Sequence, residues 1–204
     1  MINTKMEAYY SQNDEQKILL RHVGKIEHGV VIDIGAGDGR TFSNSLALIE
    51  RGWRALCIEP SPVAFKKLLD LHGGNPNVTL LNAAIGVDTR IVKFYESDDS
   101  LYSTTHESHA KLWTERGMKY RTYHVAQLTV KDVVSQLGAS ANVLSIDCEG
   151  ASFDILGSCP SAWDVKLIII EHDNRAVEIS GWARERGYDV VSLNAENVIL
   201  MRPE

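Results

Sequence analysis

Val30-Val-Ile-Asp33-Ile-Gly35-Ala-Gly37-Asp-Gly39 is the stretch on which the fold turns. Five residues with β-branched side chains at four positions read as a buried strand. The strand runs directly into three glycines spaced two apart. Glycine lets a backbone turn sharply and approach a ligand with no β-carbon in the way. Thr41–Arg51 then reads as a helix ended by Gly52, so the loop joins a strand to a helix. Such a junction is the usual seat of a nucleotide or adenosine cofactor. The dinucleotide fingerprint G-x-G-x-x-G fails here, because Arg40 stands where its third glycine belongs. That disfavours a dehydrogenase. No Gly-Lys-Ser/Thr follows, so the loop is not a P-loop. Asp33 and Asp38 suit a positively charged sulfonium amino acid better than a pyrophosphate.

Outward from the loop, strands and helices alternate. Arg54–Ile58 is a strand, Ser61-Pro62 starts a helix over Val63–His72, and Asn77–Leu81 is a third strand. The alternation predicts parallel strands with right-handed crossovers. Thr129 caps a helix over Val130–Leu137 that Gly138 stops. Val143–Asp147 and Lys166–Glu171 are further core strands, with a short helix from Phe153 between them. Arg175–Arg186 is a helix, and Asp189–Ser192 with Val198–Met201 forms a terminal hairpin. Residues 86–125 break this rhythm. Ile91–Tyr95 and Tyr120–Ala126 read as strands, and the polar residues 97–120 between them as a loop or lid. Ile18, Leu19, Leu20, Val23 and Ile26 give the segment 1–28 an apolar helical face. The whole chain, 1–204, reads as one domain.

Composition is that of a globular protein, 44% hydrophobic and 24% charged, with net charge −6. The net acidity argues against nucleic acid as partner, since phosphate binding needs a basic face. Lys111, Arg116, Lys119 and Arg121 are the residues from which a basic groove would be built. Three cysteines without regular spacing form neither a disulfide framework nor a zinc site. With no apolar leader and no membrane-length run, the expected location is the cytoplasm. Nothing in the sequence indicates an oligomeric state.

Two further groups carry chemistry. Glu59 closes the strand after the loop, where a carboxylate accepts hydrogen bonds from both ribose hydroxyls. Asn82-Ala83-Ala84 ends the next strand, with space for adenine and with Asn82 able to read its edge. Ser145-Ile-Asp147-Cys-Glu149-Gly150 ends a core strand with two acids that face one cleft. Glu171-His172-Asp173 closes the neighbouring strand on the same rim. Asp147, Glu149 or His172 is then a candidate general base. Alternatively, Asp147, Glu149, Glu171 and His172 hold a divalent metal. The bland alternative is that the acids cap the following helix. His106, His109 and His124 could join from the lid.

Together these motifs resemble the FkbM-type methyltransferases, with Glu59-Pro60, Ile170-Glu-His172 and the segment Tyr10-Ser-Gln-Asn13 adding to the match. The resemblance spans about residues 9 to 191. It implies a class I methyltransferase fold, a Rossmann-like, doubly wound, mostly parallel α/β sheet of order 3-2-1-4-5-7-6 with strand 7 antiparallel. It implies S-adenosyl-L-methionine as donor and O-methylation of a hydroxyl on a small molecule or carbohydrate. It places Ser11 and Gln12 at the cofactor, and with them the loop and strand-end residues Asp33, Gly35, Ala36, Gly37, Glu59, Pro60, Asn82, Ala83 and Asp147 complete the expected donor site. It also places Asp147 and Glu149 in the active cleft. The chain departs from the family pattern in its shortness and in Asp38. An RNA ribose methyltransferase and a non-catalytic domain that keeps the cofactor fold are the alternatives.

Overall fold

The computed structural model describes residues 8–137, 141–161 and 163–203. The chain runs α1 (Glu15–Val23), β1 (Val30–Ile34), α2 (Leu46–Glu50), β2 (Arg54–Ile58), α3 (Pro62–His72), β3 (Val78–Leu81), β4 (Ala84–Gly86) and β5 (Arg90–Ser97). It continues with a single 3₁₀ turn (Ser100–Tyr102), α4 (Glu107–Glu115), β6 (Tyr120–Thr129), α5 (Val130–Leu137), β7 (Val143–Ile146), α6 (Ser152–Ser158), β8 (Leu167–Glu171), α7 (Ala176–Glu185), β9 (Asp189–Leu193) and β10 (Asn197–Met201). Gly138, expected to stop α5, and residues 1–7 of the N-terminal segment lie outside the described residues.

Seven strands form one sheet in the order β3-β2-β1-β7-β8-β10-β9. Pairing is parallel from β3 through β8, and β10 runs antiparallel to both its neighbours. This is the expected class I methyltransferase order. Alternation along each strand sends side chains to two separate cores. Ile32, Ile34, Leu56, Ile58, Leu144 and Ile146 enter one with Ile155 and Ile179. Val31, Ala55, Cys57, Val143 and Ile169 enter the other with Leu19, Val23 and Leu68 from the helices. With both faces covered, the strands read as unbroken apolar runs rather than as alternating ones.

The chain reverses its strand order between β1 and β7, where the two lie side by side. Their C-terminal ends open the crevice in which doubly wound folds bind ligands.

Two local expectations need correction, and one pairing was not anticipated. The helix after the glycine loop covers only Leu46–Glu50, not Thr41–Arg51. Asp38 accepts the N–H groups of Arg40 at 2.9 Å and Thr41 at 2.7 Å, which holds the chain in a turn. Phe42 follows in the left-handed region at φ 56°, and Ser43 Oγ accepts the N–H of Leu46 at 3.0 Å. Residues 97–120 are not simply a loop, because α4 lies within them. Finally, β5 and β6 are joined by β4 in a second sheet of order β4-β6-β5. β5 pairs antiparallel with β6 from Arg90–Gln127 to Ser97–Tyr120, so the two strands form the stem that carries α4.

Candidate active site

The crevice at the ends of β1, β2, β7 and β8 opens into a cavity of about 580 Å³. The glycine loop forms one wall. Gly35, Gly37 and Gly39 all have positive φ, at 83°, 56° and 77°. A β-carbon at Gly35 would lie 1.7 Å from the Asp147 carbonyl oxygen, whereas one at Gly37 would meet no protein atom within 4 Å. Gly35 therefore permits close packing of β1 against β7, and Gly37 leaves open space toward the cavity.

Glu59, only 6% exposed, holds this loop. Its Oε2 accepts the N–H of Gly37 at 2.9 Å and its Oε1 the N–H of Ser61 at 2.7 Å. Burial, offset in part by these two bonds and reinforced by the nearby Glu96 and Asp33, pushes the Glu59 carboxyl up to about 7. Each oxygen keeps a lone pair for a ligand hydroxyl. Asp33 lies beneath, buried, and accepts the Ser45 hydroxyl at 2.5 Å. Pro60 and Ala83 line the cavity, but Asn82 does not. The Asn82 amide instead donates to the carbonyls of Glu59 at 2.8 Å and Pro60 at 3.3 Å, bracing the turn after β2.

Carboxylates line the opposite wall. Asp147, Glu149 and Glu171 each bring an oxygen within 4.8 Å of the other two. Glu149 stands at φ 46° and Gly150 at φ 96°, a left-handed pair that bends the chain back over the crevice. The bend is fixed by carboxylates from the end of β8. Glu171 Oε2 accepts the N–H of Glu149 at 3.0 Å, and Asp173 accepts that of Gly150 at 3.1 Å. Asp147 is open to the cleft yet enclosed by its floor. That enclosure and the charge of Glu149 raise its carboxyl to about 7. Burial and Asp147 likewise push Glu171 well above the usual carboxylate range. Three close acids of this kind hold a proton between them at neutral pH, or they hold a cation. Their hard oxygen donors fit a divalent ion such as magnesium or calcium. His172 lines the cavity but is not one of the three, and its Nδ1 accepts the N–H of Asn174 at 3.0 Å.

His109, on α4, joins instead. Its Nε2 lies 3.1 Å from Glu149 Oε2 and 2.7 Å from the indole nitrogen of Trp113, and the two contacts alternate: protonated, Nε2 donates to the carboxylate, and unprotonated it accepts the indole N–H. The hydrogen bond to Glu149 raises the imidazole pKa against the opposing effect of burial. Trp113 packs on Tyr102, with ring centroids 4.4 Å apart, and Arg116 lies over its face. Thr104 Oγ1 also donates to the Glu149 carbonyl at 2.7 Å. The lid is thus pinned to the acid wall at two points. The spacing of His109 and Trp113, one helical turn apart, with Glu107 and Lys111 also four apart, is the signal that would have found this helix. His106 is half-buried and His124 is exposed.

The N-terminal segment closes the third side. Gln12 lines the cavity, whereas Ser11 is buried beside it, its hydroxyl without a hydrogen-bond partner among the described residues. Glu15, fully buried, anchors the segment. Its Oε2 accepts the N–H of Asn13 at 2.8 Å, and its Oε1 the amides of Asn194 at 2.7 Å and Asn197 at 2.9 Å.

Sheet order, crevice and glycine loop are those of the class I methyltransferases. The FkbM methyltransferase domain model matches residues 33–190, and the chain belongs to this family, whose fold binds S-adenosylmethionine. Among solved structures, the precorrin-6y C5,15-methyltransferase of Geobacter metallireducens is similar in fold, with a TM-score of 0.52 and 12% identity over 92% of this chain and 87% of that one. A methyltransferase from Geobacter sulfurreducens has a TM-score of 0.51 and 13% identity over 96% and 81%. The precorrin 8W decarboxylase of Methanobacterium thermoautotrophicum has a TM-score of 0.51 and 13% identity over 95% and 91%. No curated protein matches the sequence significantly. None of the described helices is long and apolar enough to cross a membrane.

Proposed function

We propose that this methyltransferase acts on a hydroxyl oxygen of a small molecule or carbohydrate. One observation carries the reading: a single cavity is bounded by the glycine loop with Glu59 on one wall and by Asp147, Glu149 and Glu171 on the other. S-adenosylmethionine supplies an electrophilic methyl group on a sulfonium. The residues that would hold it are Gly35, Ala36 and Gly37 through the open backbone, and Glu59 through the ribose hydroxyls. Gln12, Asp33, Pro60 and Ala83 surround the same end, with Ser11 and Asn82 supporting it from behind. The space beside Gly37 that a β-carbon would fill supports this assignment.

On the opposite wall, Asp147 and Glu149 would orient the acceptor hydroxyl and take its proton. A carboxyl raised to about 7 is matched to that task, since it is partly ionised at neutral pH and still basic. His109 would hold Glu149 in place from the lid, and His172 would line the acceptor space. A cation at Asp147, Glu149 and Glu171 is the second reading, favoured by the proximity of their oxygens. Such an ion would lower the pKa of the acceptor hydroxyl.

Most of the basic residues between 111 and 121 stand away from the cavity, which supports a small acceptor over RNA. Of Lys111, Arg116, Lys119 and Arg121, only Arg116 lines the cavity, and Lys111 pairs with Glu107 at 2.8 Å.

Calorimetric titration with S-adenosylhomocysteine, with EDTA and again with magnesium, tests the assignment. We expect saturable one-to-one binding. Heat from magnesium that disappears in Glu171→Gln would favour the cation reading. Absence of homocysteine-adenosine binding by folded protein would remove the donor site as described.

A further inference from the structure

The acid at the end of β2 is not held by its own neighbourhood alone. Behind Glu59 lies a second buried carboxylate, Glu96, on the sheet that carries the lid; it is 7% exposed. Ser61, completely buried, stands between them. The Ser61 N–H donates to Glu59 Oε1 at 2.7 Å, and its hydroxyl donates to Glu96 Oε1 at 2.6 Å. The same hydroxyl accepts the N–H of Ala64 at 3.0 Å and so caps α3. Glu96 Oε2 in turn accepts the phenol of Tyr123 across the β5–β6 pair. A continuous chain of hydrogen bonds therefore runs from Tyr123 through Glu96, Ser61 and Glu59 to the N–H of Gly37.

Burying a carboxylate is costly unless its oxygens are satisfied. Glu96 has both oxygens satisfied, yet lines no part of the cavity. Its negative charge disfavours ionisation of Glu59. An apolar residue here would leave the Ser61 hydroxyl and the Tyr123 phenol without their acceptor, so the acid serves to hold those two groups.

We propose that Glu96 is a positioning residue for the donor site: through Ser61 it fixes the Glu59 carboxylate where the donor ribose would meet it. This rests on the donor assignment made above. The groups facing Glu59 are Asp33 from β1, Glu96 from β5, Tyr123 from β6 and the half-buried thiol of Cys148 after β7. Lys67 of α3 lines the same cavity. Glu96 and Asp33 are the neighbours that raise the Glu59 carboxyl, so neutralising Glu96 lets Glu59 ionise at lower pH.

The test is S-adenosylhomocysteine titration from pH 5.5 to 9 for wild type, Glu96→Gln and Glu96→Ala. Wild-type affinity is expected to rise with pH through a midpoint near 7, where Glu59 ionises. Glu96→Gln keeps the shape and the acceptor for Ser61, and its midpoint is expected to fall by about 0.5–1 pH unit. Glu96→Ala also frees Ser61, and its affinity at pH 8.5 should fall about tenfold. If Glu96→Ala fails to fold, Glu96→Gln carries the test alone, since a merely structural role would not move the midpoint. Binding by wild type with an unchanged midpoint in Glu96→Gln overturns the proposal. Failure of wild type to bind at any pH overturns the donor assignment and this inference with it.

Discussion

Asp147 contributes to the site through two different groups. Its backbone N–H donates to the Ile34 carbonyl at 2.9 Å and its own carbonyl packs on Gly35, so the main chain belongs to the donor wall. Its side chain belongs to the acid wall. Asp147→Asn preserves the first role and removes the second. We expect S-adenosylhomocysteine affinity within about threefold of wild type, and methyl transfer reduced on the order of 10²–10⁴-fold. Transfer by the wild type should rise with pH through about 7, because the acid must lose its proton to act. Labelled-donor transfer assays check both, and normal turnover in the variant removes Asp147 as a base. Gly37 offers the complementary test. Since no protein atom stands near its missing β-carbon, a valine there obstructs only a ligand, apart from the strain of φ 56°. We expect Gly37→Val to weaken S-adenosylhomocysteine binding by about 100-fold or more, roughly 2.7 kcal/mol.

At the scale of elements, α4 is the piece whose removal from its seat should be visible without an acceptor. Trp113 links Tyr102, His109 and Arg116 within the lid. Trp113→Ala should speed amide exchange across residues 100–116 while leaving S-adenosylhomocysteine affinity within about threefold. Unchanged exchange would mean that Thr104 and the Glu149 carbonyl hold the lid by themselves. The sequence conceals this helix for a physical reason: it buries only Ala110, so no apolar period marks it. The donor wall was legible because its parts are local. Strand, glycines and Glu59 follow one another along the chain, and each signals its own conformation. The acid wall was half legible. Asp147 and Glu149 announce themselves by spacing, but the partnership of Glu149 with His109 spans a long stretch of chain. Asn82 shows the same limit, because the carbonyls it binds are set by the fold of Glu59 and Pro60 rather than by neighbouring sequence. The helix after the loop begins late because Asp38 turns the chain with two backbone bonds, a competition that helix periodicity does not reveal.

For the molecule as a whole, the buried acids make stability depend on pH in an unusual direction. The carboxyl of Glu59 rises from 4.5 to about 7 on folding, and burial raises that of Glu171 as well. Between about pH 4 and 7 the folded chain therefore holds protons that the unfolded chain releases. Their stabilising effect is complete below about pH 4 and is lost as pH rises through 7. Exposed acids shifted downward, such as Asp132, act the other way, but solvent screens them. We expect the melting temperature of the ligand-free protein to fall by several degrees, ~4–8 °C, between pH 5 and 8. Differential scanning calorimetry measures this directly, and a flat or rising profile would mean that the acids are not held protonated by the fold.

The anchoring of Glu15 has a consequence for how the molecule is made. Its partners Asn194 and Asn197 lie at the start of β10, 179 and 182 residues further along the chain. During synthesis the donor loop, β1 and β2 emerge early and can pair, because parallel strands with local crossovers need only nearby chain. The segment bearing Gln12 is translated before any of them, yet it finds its seat only when residue 197 is free. The segment that closes the cavity thus takes its seat later than strands that follow it in the chain, and the third wall is complete only once the turn into β10 has formed.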